Sequence, residues 1–226
     1  TASEAFQADA ARALRLPIYV GDQPKTTDAV WVRRMDWEAP KEHPHAHARL
    51  LDAAAKYFAE AGYEAASMRD IAAAAGMKAG SMYYYFPSKE DLLLAVHEEG
   101  IRWISEAVLA ALEQQSGPWM RLEAAMGAHL QALLGGGDYV RVVIKVPPRE
   151  DAESRARLIA LRDGYERIFT ILIDDLPLAT SVDARHVRLM ILGAMNWSPN
   201  WFRTDGDKPH EIAKSFVENL RYGEGR

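Results

Sequence analysis

The chain contains no cysteine. A disulfide scaffold, a thiol nucleophile and a zinc site built on cysteine are therefore excluded, and a reducing compartment is compatible. No apolar run approaches the roughly 18 residues that a membrane span needs. The start of the chain reads as no signal peptide, so a cytoplasmic location is expected. Positive charge is in slight deficit, with Lys+Arg 27 against Asp+Glu 32 and a formal net charge of −5. This disfavours a protein that coats nucleic acid over its whole surface. It leaves room for a small basic face on an acidic body, because phosphate contacts are local. There is no HExxH, no Gly-rich phosphate loop, no close nucleophile–base pair and no carboxylate pair that stands out from the solvated charges. An enzyme thus has no positive support, and no catalytic residue, cofactor or metal ligand is assigned.

What remains is a chain of 226 residues, 49% hydrophobic, long enough for one large domain or two small ones with a true core. Residues 1–44 read as an irregular N-terminal extension. "PIYV" and "AVWV" are short β-prone runs, and Lys25, Arg33 and Arg34 are its scattered cations. His43, His45 and His47 alternate as metal ligands can, but a solvated polar linker ahead of a helix is the simpler reading.

From His45 the period becomes helical. Leu51, Ala54, Phe58 and Ala61 share a face and Gly62 is a natural stop. "SMRDIAAAAG" opens with Ser67 and has Asp70 three residues on, a capping-box pattern. A short helix over about 79–85 follows with almost no linker. Two short helices around a glycine-containing turn form the helix-turn-helix signature. In "GMKAGSMYYYF", Met82 and Phe86 are four apart and face inward, so adjacent Tyr83 and Tyr84 cannot both enter the same core. Their rings suit sugar and thymine methyl groups, and their hydroxyls suit phosphate oxygens. Tyr85 is the one most readily structural. Lys89 stands where an ammonium and the first N–H groups of the next helix can hold one phosphate.

The remaining helices are longer. One runs from Ser88 to about Gln114. The next starts at Pro118 and carries Leu122, Met126, Leu130 and Leu133. "YVRVVIKVPP" fits either a short strand or a helix, and the helical surroundings favour the latter. Residues 150–175 form another helix, Val187 to Trp201 one more, and Ile212, Phe216 and Leu220 mark the last.

Residues 50–96 resemble the DNA-binding head of the TetR family of bacterial regulators. The ordered pattern is Gly-Tyr, Ser-x-x-x-Ile-Ala, Ala-Gly, Gly-x-Met-Tyr-x-Tyr-Phe and Ser-Lys-Glu-x-Leu. The resemblance implies an all-α fold. A three-helix DNA-binding domain (45–92) would precede a ligand-binding and dimerisation domain (93–226). It further implies a homodimer whose heads read half-sites of a palindromic operator about 34 Å apart, and a small effector that loosens that grip. Carried over by position, the DNA contacts are Ser67, Arg69, Lys78, Ser81, Tyr83, Tyr84 and Lys89. Two departures stand out. Lys78 occupies a place where Ser or Thr is common, giving up a cap and adding a charge, and Tyr85 stands where His is common.

"LGAMNWSPNWFRTDGDKPHEIAKSFVENLRYG", residues 192–223, resembles the end of the subgroup that answers to acyl-CoA thioesters or related lipid acids. On that reading Asn196, Trp197, Trp201 and Arg203 orient a thioester, carboxylate or phosphate, while Met126, Tyr165 and Phe169 line an apolar slot. Trp197 and Trp201 serve equally well as anchors of a four-helix dimer interface. His129 and His186 read as polar spots on apolar faces. The function expected is a ligand-responsive repressor. The alternatives are a helical interaction module that does not bind DNA, or an enzyme.

Overall fold

Ser67, Ser88, Pro118 and Asp183 each sit where a helix-forming run begins, and the chain folds around these punctuation marks. A computed structural model describes residues 44–113, 115–146 and 152–223, with the backbone of Tyr19–Val20 and Gln23–Pro24, which pair as a minimal antiparallel ladder (β1, β2). The rest of the extension, including "AVWV", Lys25, Arg33, Arg34 and His43, lies outside the described residues. Among the described residues there are nine α-helices. They are α1 (Pro44–Ala65), α2 (Met68–Ala74), α3 (Ala79–Tyr85), α4 (Lys89–Leu112), α5 (Pro118–Leu134), α6 (Asp138–Lys145), α7 (Ala152–Asp174), α8 (Ala184–Asn196) and α9 (Pro209–Gly223). The fold is all-α, as expected. The ambiguous "YVRVVIK" run is α6, with Asp138 in its first turn and Lys145 in its last, each matched to the helix dipole. No described helix is long and apolar enough to cross a membrane.

The helices fall into two units. The first comprises residues 30–102 and 137–162, and so takes in more than the 45–92 segment; the second comprises residues 1–29, 103–136 and 163–226. Helices α4 and α7 are each shared between them.

In the first unit, α1 supplies Leu50, Ala54 and Phe58 to a core completed by Ile71, Ala72, Met82, Phe86, Leu92, Val96 and Val142. Full burial of a ring such as Phe58 or Phe86 contributes about 1.5–3 kcal/mol, so this small core is held by a few large side chains. Ala-rich α2 lets its neighbours approach closely. Ala61, on the face expected to be inward, is exposed. Regular helix geometry breaks at Gly62 (φ 81), one turn before α1 ends. His47, one of the alternating histidines, packs its ring on Phe86 with centroids 5.1 Å apart. Helix α6 docks on α1, where the Tyr139 hydroxyl donates to Asp52 Oδ1 at 2.9 Å. It also meets α4 at Gly100, where a methyl group would come within 2.7 Å of Val143 Cγ2 and 2.9 Å of the Tyr139 carbonyl oxygen. Glycine is required there by contact, since a side chain would have to push a backbone aside.

In the second unit, α5 lies along α9. Leu122, Met126, Leu130 and Leu133 of α5 are buried, as their period predicts, with Ile212, Ala213 and Val217 of α9. Helix α7 adds Tyr165, Ile168, Phe169 and Leu172, and Arg188 of α8 is tied to Glu166 of α7 at 3.1 Å. One expectation fails here. The helix read as running to Trp201 ends at Asn196, Trp197 is its C-cap, and Ser198–Asn200 form a 3-10 turn. Pro199 is the cause, because proline cannot donate to the preceding turn and disfavours helical geometry in the residue before it.

Candidate nucleic-acid interface and effector core

Helix α3 begins abruptly. Its N-cap is Lys78, which makes no side-chain cap bond and is exposed. Met82, Tyr85 and Phe86 are buried, whereas Tyr83 and Tyr84 are 54% and 68% exposed. A seven-residue helix can anchor only one face, so the two outward rings follow from the inward three. Tyr84 also leans edge-on against Tyr85, with centroids 5.6 Å apart, which limits its rotamers. Gly80 and Ser81 are exposed on the same short helix.

Ser67 caps α2. Its Oγ accepts from the Asp70 backbone N–H at 3.1 Å and donates to Asp70 Oδ2 at 2.5 Å. The Ser67 half of the capping box read from the sequence is formed, while the Asp70 carboxylate accepts from the Ser67 hydroxyl, which is thereby occupied. Arg69 is exposed, its Nε 3.9 Å from Asp70 Oδ1, a separation at which a surface pair contributes little. Lys89 is half-buried. Its ammonium lies 4.2 Å from the Tyr63 ring centroid and donates to the Glu64 carbonyl at 3.4 Å. Tyr63 in turn donates its hydroxyl to Glu90 Oε1 at 2.6 Å. The first turn of α4 is capped by Ser88, which accepts from the Asp91 N–H at 3.0 Å. Lys89 is thus a cation fixed by the end of α1. Tyr63 was missed as a functional residue, and the only signal for it in the sequence is the Gly-Tyr pair that ends the first helical period.

The seven residues expected to line an effector site divide. Met126, Tyr165 and Phe169 are buried together in the second unit. Asn196, Trp197 and Trp201 are exposed, and Arg203 pairs with Asp205 at 3.1 Å, both open to solvent. The residue that joins the buried set is His129. Its Nδ1 lies 2.5 Å from the Tyr165 hydroxyl, its ring stacks on Tyr165 at 5.8 Å, and Phe169 meets it edge-on at 5.9 Å. Burial lowers the His129 pKa to about 4, and a side-chain hydrogen bond with Asn196 acts in the opposite direction. Burial also raises the Tyr165 phenol well above its usual range. Both rings are therefore neutral near pH 7. A separate open cleft of about 580 Å³ is lined by Ala110, Met120, Gly127 and His210 among others, and by none of the expected seven.

Outside the buried set, Leu189, Met190 and Trp197 form an exposed apolar stripe along α8. Between them lies Gly193, where an added side chain would meet nothing within 4 Å. Trp201 continues the stripe toward Phe216 of α9, at 6.4 Å between centroids.

Comparison with known proteins bears on both halves. Residues 50–96 match the family described as bacterial regulatory proteins, tetR family. Residues 115–223 match the tetracyclin repressor-like C-terminal domain. The fatty acid metabolism regulator protein of Bacillus subtilis (strain 168) is 27% identical over 153 residues, 66% of this chain and 78% of that protein. The crystal structure of AibR in complex with isovaleryl coenzyme A and operator DNA aligns with a TM-score of 0.68 at 27% identity, covering 77% of this chain and 97% of that one. The superantigen PfiT aligns with a TM-score of 0.70 at 31% identity, covering 79% and 97%. With both halves matched, an ordered reading-head motif and an all-helical fold, the chain belongs to the TetR family of bacterial transcriptional regulators.

Proposed function

We propose that this protein is a repressor that leaves a palindromic operator when an acyl-CoA or related lipid acid binds its second unit. The observation that carries the DNA-binding half is the outward pair Tyr83 and Tyr84 on a helix anchored by Met82, Tyr85 and Phe86. Segment 45–92 serves as the DNA-binding domain and 93–226 as the sensing and dimerisation domain. Tyr83, Tyr84 and Ser81 meet the major groove. Lys78, Arg69 and Lys89 neutralise phosphates around it, and Ser67, whose hydroxyl already donates to Asp70, reaches a phosphate oxygen only by giving up that bond. A negatively charged chain tolerates this because the cations are grouped on one short segment.

The α8 stripe supports a homodimer. A twofold interface places the same patch on both copies, and Leu189, Met190 and Trp197 with open space at Gly193 suit self-packing. This assigns Trp197 and Trp201 to the interface in preference to the pocket. For the effector, support comes from the AibR complex, which contains isovaleryl coenzyme A, and from the named role of the Bacillus subtilis relative. Met126, Tyr165, Phe169 and Asn196 are the residues assigned to it, with Arg203 available to a phosphate.

Release follows from population shift. Helix α4 contributes residues to both units, and an effector that prefers one of its tilts changes how the two heads are spaced. An effector indifferent to tilt does nothing, and clean switching needs about 5 kcal/mol of preference. The test is fluorescence anisotropy on a palindromic duplex with octanoyl-CoA titrated in. Salt-sensitive binding that the acyl-CoA reverses is expected. Binding that the acyl-CoA leaves unchanged sinks the ligand reading, and absence of salt-sensitive binding to any palindrome from a random-sequence selection sinks the DNA reading.

A further inference from the structure

The open cleft of about 580 Å³ in the second unit is used by neither the DNA contacts nor the effector residues. Ala110 and Ala111 of α4, Ala124 and Ala128 of α5 and His210 of α9 line it, with Glu123 among them. Ala124 and Ala128 are four apart and stand on one face of α5. Side chains this short let another backbone come close, so the cleft suits a helix laid along it.

The chain has a segment that fits. "SEAFQADAARALRL", residues 3–16, starts at a good N-cap, Ser3, and stops before Pro17, which cannot continue a helix. It is rich in alanine, the best helix former. Phe6, Ala10 and Ala13 fall at spacings of four and three, with Leu14 beside them, while Glu4, Arg12 and Arg15 take the opposite side. Asp9 borders the apolar face and offers an acid to His210. A helix of this length is marginal alone in water and needs a surface for its apolar face.

The segment lies outside the described residues, but the backbone just beyond it does not. Tyr19–Val20 and Gln23–Pro24 form β1 and β2, and both belong to the second unit, which carries the cleft. Leu16 precedes Tyr19 by three residues, a reach of about 10 Å at most. The segment therefore ends close to the unit whose surface it matches. A second copy of the chain is the other possible occupant. It finds larger exposed side chains on α8, at Leu189, Met190 and Trp197.

We propose that residues 3–16 dock as an amphipathic helix in the α4–α5–α9 cleft of the second unit, with Phe6 and Leu14 turned inward. The extension then supplies in cis the cover of an apolar surface, at a local concentration no separate partner matches. The assignment is independent of the DNA and effector readings.

The test uses the full chain. With no native cysteine, introduced pairs report without background. Ala10→Cys with Ala124→Cys is compared with Ala10→Cys and Leu189→Cys, whose second site is on the exposed stripe of α8. Ala10 and Ala124 are both near the middle of their elements, so the result does not depend on which way the segment runs. Under diamide, the first pair should form a disulfide within one chain at least about tenfold faster than the second, read on non-reducing gels. Adding Phe6→Asp, or Ala128→Glu in the cleft, should bring that rate down to the control. Equal rates in the two pairs, a faster reaction at Leu189, or disulfides between chains in place of disulfides within them overturn the proposal. So does a rate that either added substitution leaves undiminished.

Discussion

Among the outward-facing aromatic residues, two sets keep different company. Tyr83 and Tyr84 stand on a short helix beside Lys78, Gly80 and Ser81, with polar tips and no exposed aliphatic residue next to them. Trp197 stands at the end of a long stripe with Leu189, Met190 and an open glycine. Exposure is similar for Tyr84 (68%) and Trp197 (65%). Exposure alone therefore says only that something is missing. On the proposed reading the company each ring keeps supplies the difference: a polyanion suits the first, a second apolar surface the second.

That contrast can be broken most forcefully on α8. Replacing Leu189 and Met190 together by Asp should convert dimer to monomer, at a cost of at least about 2 kcal/mol per position, read by light scattering after size exclusion. A dimer that survives moves the interface elsewhere. On α3, Tyr84→Ala should weaken operator binding by about 1–2 kcal/mol, roughly tenfold, with no change in the thermal melt or in light scattering. If Tyr84→Ala also dissociates the dimer, the two faces are not separate. Ser67→Ala sharpens the distinction between a cap and a contact. It should lower stability by about 1 kcal/mol in denaturant titration and reduce operator affinity by less than that; the reverse pattern makes the hydroxyl a phosphate ligand first. The smallest effect is expected at Lys89. Lys89→Ala should weaken binding to all duplexes alike and reduce the salt slope by about one charge. An unchanged slope means that the hold of Tyr63 and Glu64 keeps the ammonium off the phosphates.

The head was legible because its pattern is local. Ser67 and Asp70 are three residues apart, Met82 and Phe86 four apart, and their roles follow from the geometry of one helix. Met126, Tyr165 and Phe169 were legible as an apolar set, but the pairing of Tyr165 with His129 was not, because the two are 36 residues apart and neither carries a flanking signal. A histidine on an apolar face looks the same whether solvent, backbone or a phenol completes it. The length of α8 was misread for a different reason. The apolar period continues through Trp197 to Trp201, and Pro199 overrides it. Tyr63 was visible as part of a Gly-Tyr pair, but its grip on Lys89 spans two helices and belongs to tertiary structure.

The bare contact at Gly100 has a mechanical consequence. Most helix pairs meet through side chains that can flex between rotamers and absorb a small displacement. Here α4 brings no side chain of its own to α6, which crowds Gly100 with the Val143 methyl and the Tyr139 carbonyl, and the same tyrosine is pinned to Asp52 of α1. A nudge to α6 of half an ångström has only the Val143 side chain to absorb it there, so much of it passes to α4. Gly100→Ala would imitate such a nudge permanently, with a methyl group in place of any effector.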